Sequence, residues 1–147
     1  MNRLLLCAVL VVPLVLGAPA IAHNGVDDEP HHGGVVVAHK DMHFEAAALP
    51  AGGVQIYFSD AMGEPMPASA LSQVAVEIAH PGQKTEYVDM QIDPTGVFWT
   101  GKTAPLTDAK ATLHVGFVRQ GKSALVDVAA AKVIAAAKAP KGTHHGH

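Results

Sequence analysis

Val35-Val36-Val37-Ala38-His39-Lys40-Asp41-Met42-His43-Phe44-Glu45-Ala46 is the stretch that decides the fold class. Its residues alternate with period two on either side of Lys40-Asp41, the pattern of a β-hairpin. Val35, Val37, Phe44 and Ala46 fall on one face, and Val36, Ala38, His43 and Glu45 on the other. The implied register sets Ala38 opposite His43, Val36 opposite Glu45, and His39 opposite Met42 across the turn.

Further along, Gly52-Gly53 precedes Val54-Gln55-Ile56-Tyr57-Phe58, which also alternates. Asp60 to Pro65 is a turn, and the proline-broken segment after it suits only a sheet edge. Val74, Val76, Ile78 and His80 alternate with Ala75, Glu77 and Ala79, and Pro81-Gly82 then turns the chain into Thr85 to Ile92. In that strand Val88, Met90 and Ile92 share a face. Asp93-Pro94-Thr95-Gly96 is another turn before a short strand, Val97 to Thr100. Leu113, Val115 and Phe117 alternate with His114, Gly116 and Val118, and Gln120-Gly121 leads into a last strand near Ala124 to Val128. Seven or eight short strands, with turn signals roughly every ten residues, predict an all-β, immunoglobulin-like antiparallel β-sandwich over residues 34–128. Ala129 to Ala139 is alanine-rich, and two readings stay open: a helix, or a prolongation of the last strand. Residues 140–147 read as a disordered histidine-rich tail.

The other end reads as an export signal. Met1-Asn2-Arg3 is a basic start, Leu4 to Gly17 is apolar, and Ala20-Ile21-Ala22 is a small-x-small cleavage site. Cleavage after Ala22 places the mature protein in the periplasm with no membrane span. It leaves residues 23–33 as a flexible lead-in and His23 as the first residue. Loss of Arg3 takes the ten basic side chains to nine against 13 acidic ones, so no basic stripe exists for nucleic acid. The one cysteine, Cys7, leaves with the signal. Disulfides, thiolate metal ligands and thiol catalysis are therefore excluded from the mature domain.

Ten histidines in such a chain point to a late first-row metal. At a mature N-terminus, the α-amine and imidazole of His23 can chelate one ion, an arrangement suited to Cu(II). His31 and His32 stand before Gly33-Gly34, whose freedom lets the backbone bend around an ion; a polar entry to the first strand is the plainer reading. His43 and Glu45 are two apart on a strand and share a face. Were the strand to continue backward, His32 would lie on that face but roughly 20 Å from His43. A site joining them needs the lead-in to fold back. His39 and Met42 are opposed across the turn, and Met42, Met62 and Met66 carry thioethers, which favour Cu(I). Methionine more often fills core gaps, as Met90 is expected to do. His80 and His114 read as structural or exposed, and His144, His145 and His147 as a weakly selective tail.

Three short motifs occur in an order that resembles a known family: His32-Gly33-Gly34-Val35-Val36, then His43-Phe44-Glu45, then Tyr57-Phe58-Ser59-Asp60-Ala61-Met62-Gly63-Glu64-Pro65. They resemble the small β-rich domain that accompanies periplasmic adaptor subunits of heavy-metal efflux pumps, and related stand-alone exported proteins. The likeness spans about residues 31 to 128. It implies metal export or resistance, with His32, His43 and Glu45 as candidate ligands and an efflux complex as a candidate partner. The chain lacks the long helical hairpin and further domains of an adaptor, so a stand-alone accessory is the most that carries over.

The expected function is thus a periplasmic metal-binding protein, a chaperone, buffer or efflux accessory. Copper, as Cu(II) or Cu(I), is the leading metal and zinc the second candidate. His23, His31, His32, His39, Met42, His43 and Glu45 are the candidate ligands. The alternative from another class is a non-catalytic interaction module of an envelope complex. A copper enzyme using His23 ranks below both, because no acid–base or nucleophile constellation accompanies it.

Overall fold

The structure, a computed structural model, describes residues 29–139. The expected signal peptide, His23 and most of the lead-in, and the histidine tail lie outside the described residues. In chain order the strands are β1 (Val35–His39), β2 (Met42–Ala48), β3 (Val54–Asp60), β4 (Pro65–Met66), β5 (Gln73–Ala79), β6 (Glu86–Val88), β7 (Gln91–Ile92), β8 (Phe98–Gly101), β9 (Thr112–Arg119) and β10 (Lys122–Ala129). A helix, α1 (Ala130–Lys138), follows. The first sheet runs β1-β2-β3-β8-β7 with β4 also on β3, and the second runs β10-β9-β5-β6. Every pairing is antiparallel. The expected all-β sandwich forms, with two-residue β4 and β7 raising the strand number above eight.

Period-two alternation builds the core between the sheets. Phe44, Ile56 and Phe58 of the first sheet meet Val76, Ile78, Leu113, Val115 and Phe117 of the second, all buried. The rings of Phe44, Phe58 and Phe117 form a triangle with centroids 6.1, 6.0 and 5.6 Å apart. Each such side chain contributes about 1.5–3 kcal/mol by leaving water. The hairpin register is the expected one: Val36 opposes Glu45, Ala38 opposes His43, and His39 opposes Met42.

Thr85 to Ile92 departs from expectation. It is not one strand: β6 belongs to the second sheet and β7 to the first, so Asp89-Met90 carries the chain between the layers. Val88 and Met90 are buried as their spacing suggests, whereas Ile92 is 41% exposed. The face rotates because a strand that changes sheet must bend at the sandwich edge. Gly101 on β8 makes room for that bend. A Cβ there would stand 2.5 Å from Val88 Cγ1 and 2.8 Å from both the Asp89 carbonyl oxygen and Met90 Sδ.

The alanine-rich segment is a helix. Packing decides between the two readings, since nine residues are marginal alone. Ala130 and Val133 are buried, and the Ala130 N–H donates to the Ala111 carbonyl at 3.0 Å. Among the described residues no helix is long and apolar enough to cross a membrane.

The Asp93 turn ties β7 to β8. Its Oδ1 accepts from the N–H groups of Val97 and Phe98 at 2.9 and 3.0 Å, and its Oδ2 accepts from the Thr95 N–H and hydroxyl. Burial pushes the Asp93 carboxyl up. The Thr95 hydroxyl and the N–H groups of Phe98, Thr95 and Val97 outweigh it and hold the group at about 2. A depressed folded-state pKa stabilises the fold above the unfolded value, near ~4, and that contribution is lost as pH falls toward 2. Urea denaturation at successive pH values is expected to show stability falling between about pH 4 and pH 2. Asp93→Asn should be less stable than the parent at pH 6 and show a smaller fall across that window. Equal slopes for the two proteins would refute this role for Asp93.

Candidate metal-binding site

The outer face of the first sheet, away from the core, carries the other half of the hairpin alternation. Glu45 on β2 lies between Val36 on β1 and Tyr57 on β3, and His43 lies between Ala38 and Ser59. A carboxylate on a central strand would normally face water, yet Glu45 is 6% exposed. What buries it is the chain before β1, which folds back over the sheet.

That fold-back is held by backbone amides. Glu45 Oε1 accepts from the N–H groups of His32 and Gly34 at 2.9 and 2.8 Å. Oε2 accepts from the His31 N–H at 3.0 Å and faces His32 Nδ1 at 2.8 Å. Gly33 takes φ +77°, which a side chain would strain, and Gly34 allows close approach: a Cβ there would stand 2.4 Å from the Ala46 carbonyl oxygen. The double glycine thus serves the clasp on Glu45.

The His32 ring is fixed twice over. It stacks on Tyr57 with centroids 3.6 Å apart and planes within 5°. A carboxylate can only accept, so the fourth contact assigns a proton to His32 Nδ1. The neutral ring then carries its lone pair on Nε2, the atom a metal takes. A carboxylate that orients an imidazole through its other nitrogen is the usual outer support of a metal-bound histidine. Burial, then Glu45 and Asp93, push the Tyr57 phenol up, so it stays protonated and donates to Gln55 Oε1 at 3.0 Å.

His31 and His32 line one cleft of about 160 Å³, together with Glu29, Tyr57, Met66 and Val97. The two imidazole centroids are 6.5 Å apart, with planes at 80°. Two imidazoles sharing one ion at a metal–nitrogen distance of about 2.0–2.1 Å place their centres roughly 5–6.5 Å apart. The pair sits at the outer end of that span, which corresponds to nitrogens on opposite sides of an ion; with His32 held, any closer approach falls to His31.

Of the seven expected ligands His23 lies outside the described residues, and the other six are not gathered at one place. His31, His32 and Glu45 come together at the cleft, where the Glu45 oxygens make four hydrogen-bond contacts, all to the segment before β1. His43 is buried two residues along β2 and does not line the cleft. His39 and Met42 lie on the opposite face, as the alternation of β2 requires. Met62 is 66% exposed on its turn, while Met66 reaches the cleft. Among the described residues no three His, Cys, Asp or Glu side chains are placed to hold an ion together. His80 and His114 instead pair with carboxylates: His80 Nδ1 with Asp108 at 3.0 Å, and His114 Nδ1 with Asp127 at 2.6 Å. The His80 contact is the first cause holding the Asp108 carboxyl below its ordinary range.

Tyr57 is the site residue that sequence reasoning missed. Its signal was available, since the alternation of Val54 to Phe58 puts Tyr57 on the polar face, but its stacking partner is distant in sequence. No family model matches the chain, and neither do curated proteins or solved structures. The likeness to efflux-adaptor domains therefore rests on the three motifs alone.

Proposed function

We propose that this is an exported metal-binding protein that handles copper in the periplasm as a chaperone, buffer or efflux accessory. The observation that carries the reading is the His32 imidazole. Its Nδ1 is committed to a buried carboxylate and its face to Tyr57, leaving Nε2 for a metal beside His31. In this reading His31 and His32 supply the direct ligands, and Glu45 sets tautomer and orientation. If signal cleavage follows Ala22, His23 adds an amine and an imidazole from the lead-in.

The test is titration of the tail-deleted, processed protein with Cu(II), Cu(I) and Zn(II), with mass analysis of its N-terminus. His32→Ala and His31→Ala should each weaken Cu(II) binding at least tenfold. Parent affinity no tighter than that of the doubly substituted protein would overturn the reading.

An interaction module is the second reading. Tyr87 and Leu125, 71% and 69% exposed, project from strands of the second sheet and favour it. It requires that alanine at His31, His32 and His43 leave partner capture unchanged.

A further inference from the structure

Two of the ligand candidates that lie outside the cleft, His39 and Met42, carry an observation of their own. His39 Nε2 is buried and has no hydrogen-bond partner among the described residues. Leaving a buried imidazole nitrogen without a partner costs stability, so the position calls for a reason. Its surroundings are soft. Met42 stands directly opposite across the Lys40-Asp41 turn and is 2% exposed, and the Phe117 ring lies edge-on with its centroid 5.7 Å from that of His39. Directly opposed residues have Cβ atoms about 5 Å apart, which puts an imidazole and a thioether within reach of one ion.

We propose that His39 Nε2 and Met42 Sδ form a second site, for a monovalent soft ion, Cu(I). This rests on the copper reading for its biological ion but uses none of the cleft residues. The rim argues for the charge. A cavity of about 130 Å³ opens beside the pair between the tips of two hairpins, and Lys40, Arg119 and Lys122 line it against a single acid, Asp41. Asp41 is engaged by Arg119 at 3.1 Å. The excess positive charge repels a divalent ion twice as strongly as a monovalent one. A neutral thioether cannot offset that for Zn(II) or Cu(II), whereas it suits Cu(I). Low coordination by one imidazole and one thioether fits the same ion.

Ag(I), a redox-inert stand-in, and Cu(I) under reducing conditions are the probes, added to the full mature chain labelled at methionine methyl and histidine ring nitrogen. One equivalent should shift the Met42 methyl and His39 Nε2 resonances together and saturably, and do so equally in the His31→Ala/His32→Ala protein. Met42→Leu and His39→Phe should abolish the response while melting within a few degrees of the parent. The proposal is overturned if Ag(I) moves the Met62 or Met66 methyl and leaves Met42 unmoved. It is also overturned if Zn(II) perturbs the pair as strongly, or if the His39 shift survives in Met42→Leu. The parent spectra decide the matter even if a variant fails to fold. Loss of Cu(II) binding at the cleft with this response retained would remove the first site and leave the second.

Discussion

Glu45→Ala is expected to lower stability by about 3 kcal/mol, a fall in melting temperature of roughly 10 °C, and to weaken metal binding at His32 by tenfold or more. Four hydrogen-bond contacts converge on this carboxylate, three of them from backbone amides. Truncation frees the segment before β1 to solvent, so the amides recover water and the loss stays below the sum of four charge-assisted bonds. Glu45→Gln sharpens the test. It preserves shape but replaces an acceptor oxygen by an NH₂ group facing N–H donors, so it should lose at least half as much stability as the alanine variant. Urea denaturation and metal titration of both variants check this. An unchanged Cu(II) affinity alongside lost stability would separate the clasp from the site and remove Glu45 from any role in metal binding.

Gly101→Ala should destabilise by about 3 kcal/mol or leave the protein unable to fold. The added methyl meets Val88 Cγ1 at 2.5 Å and the Asp89 carbonyl oxygen at 2.8 Å, both parts of the segment that changes sheets. Gly34 has an even closer approach to backbone, 2.4 Å from the Ala46 oxygen, but lies where the chain can peel away and leave the sandwich intact. Gly101 has no such escape, because β8 pairs with β3 on one side and β7 on the other. Relief must come from moving the crossover, which disturbs buried Val88 and Met90. Met90→Ala in the Gly101→Ala background makes space for the Met90 contact alone and should recover little. Denaturation of the single and double variants is the measurement, and a Gly101→Ala protein within 1 kcal/mol of the parent would contradict the crossover packing.

Much of this protein is determined locally by its sequence. Alternation in Val35 to Ala46 is enough to set the hairpin, its two-residue turn, and the division of His43 and Glu45 from His39 and Met42, because successive side chains of a strand must point to opposite faces. The same rule yields the core strands β3, β5 and β9. Tertiary structure decided the rest. Thr85 to Ile92 keeps its alternation on paper, yet changes sheet at Asp89-Met90, since period two says nothing about which layer a strand joins. Ala130–Lys138 is helical because Ala130 and Val133 find buried places, which propensity alone does not provide. The site turns on the largest such decision. Glu45 looked like a ligand by its place beside His43, but its oxygens are satisfied by amides 11 to 14 residues back along the chain. A buried carboxylate must find donors wherever the fold presents them, and here they came from the double-histidine segment, whose His32 ring the carboxylate holds in place.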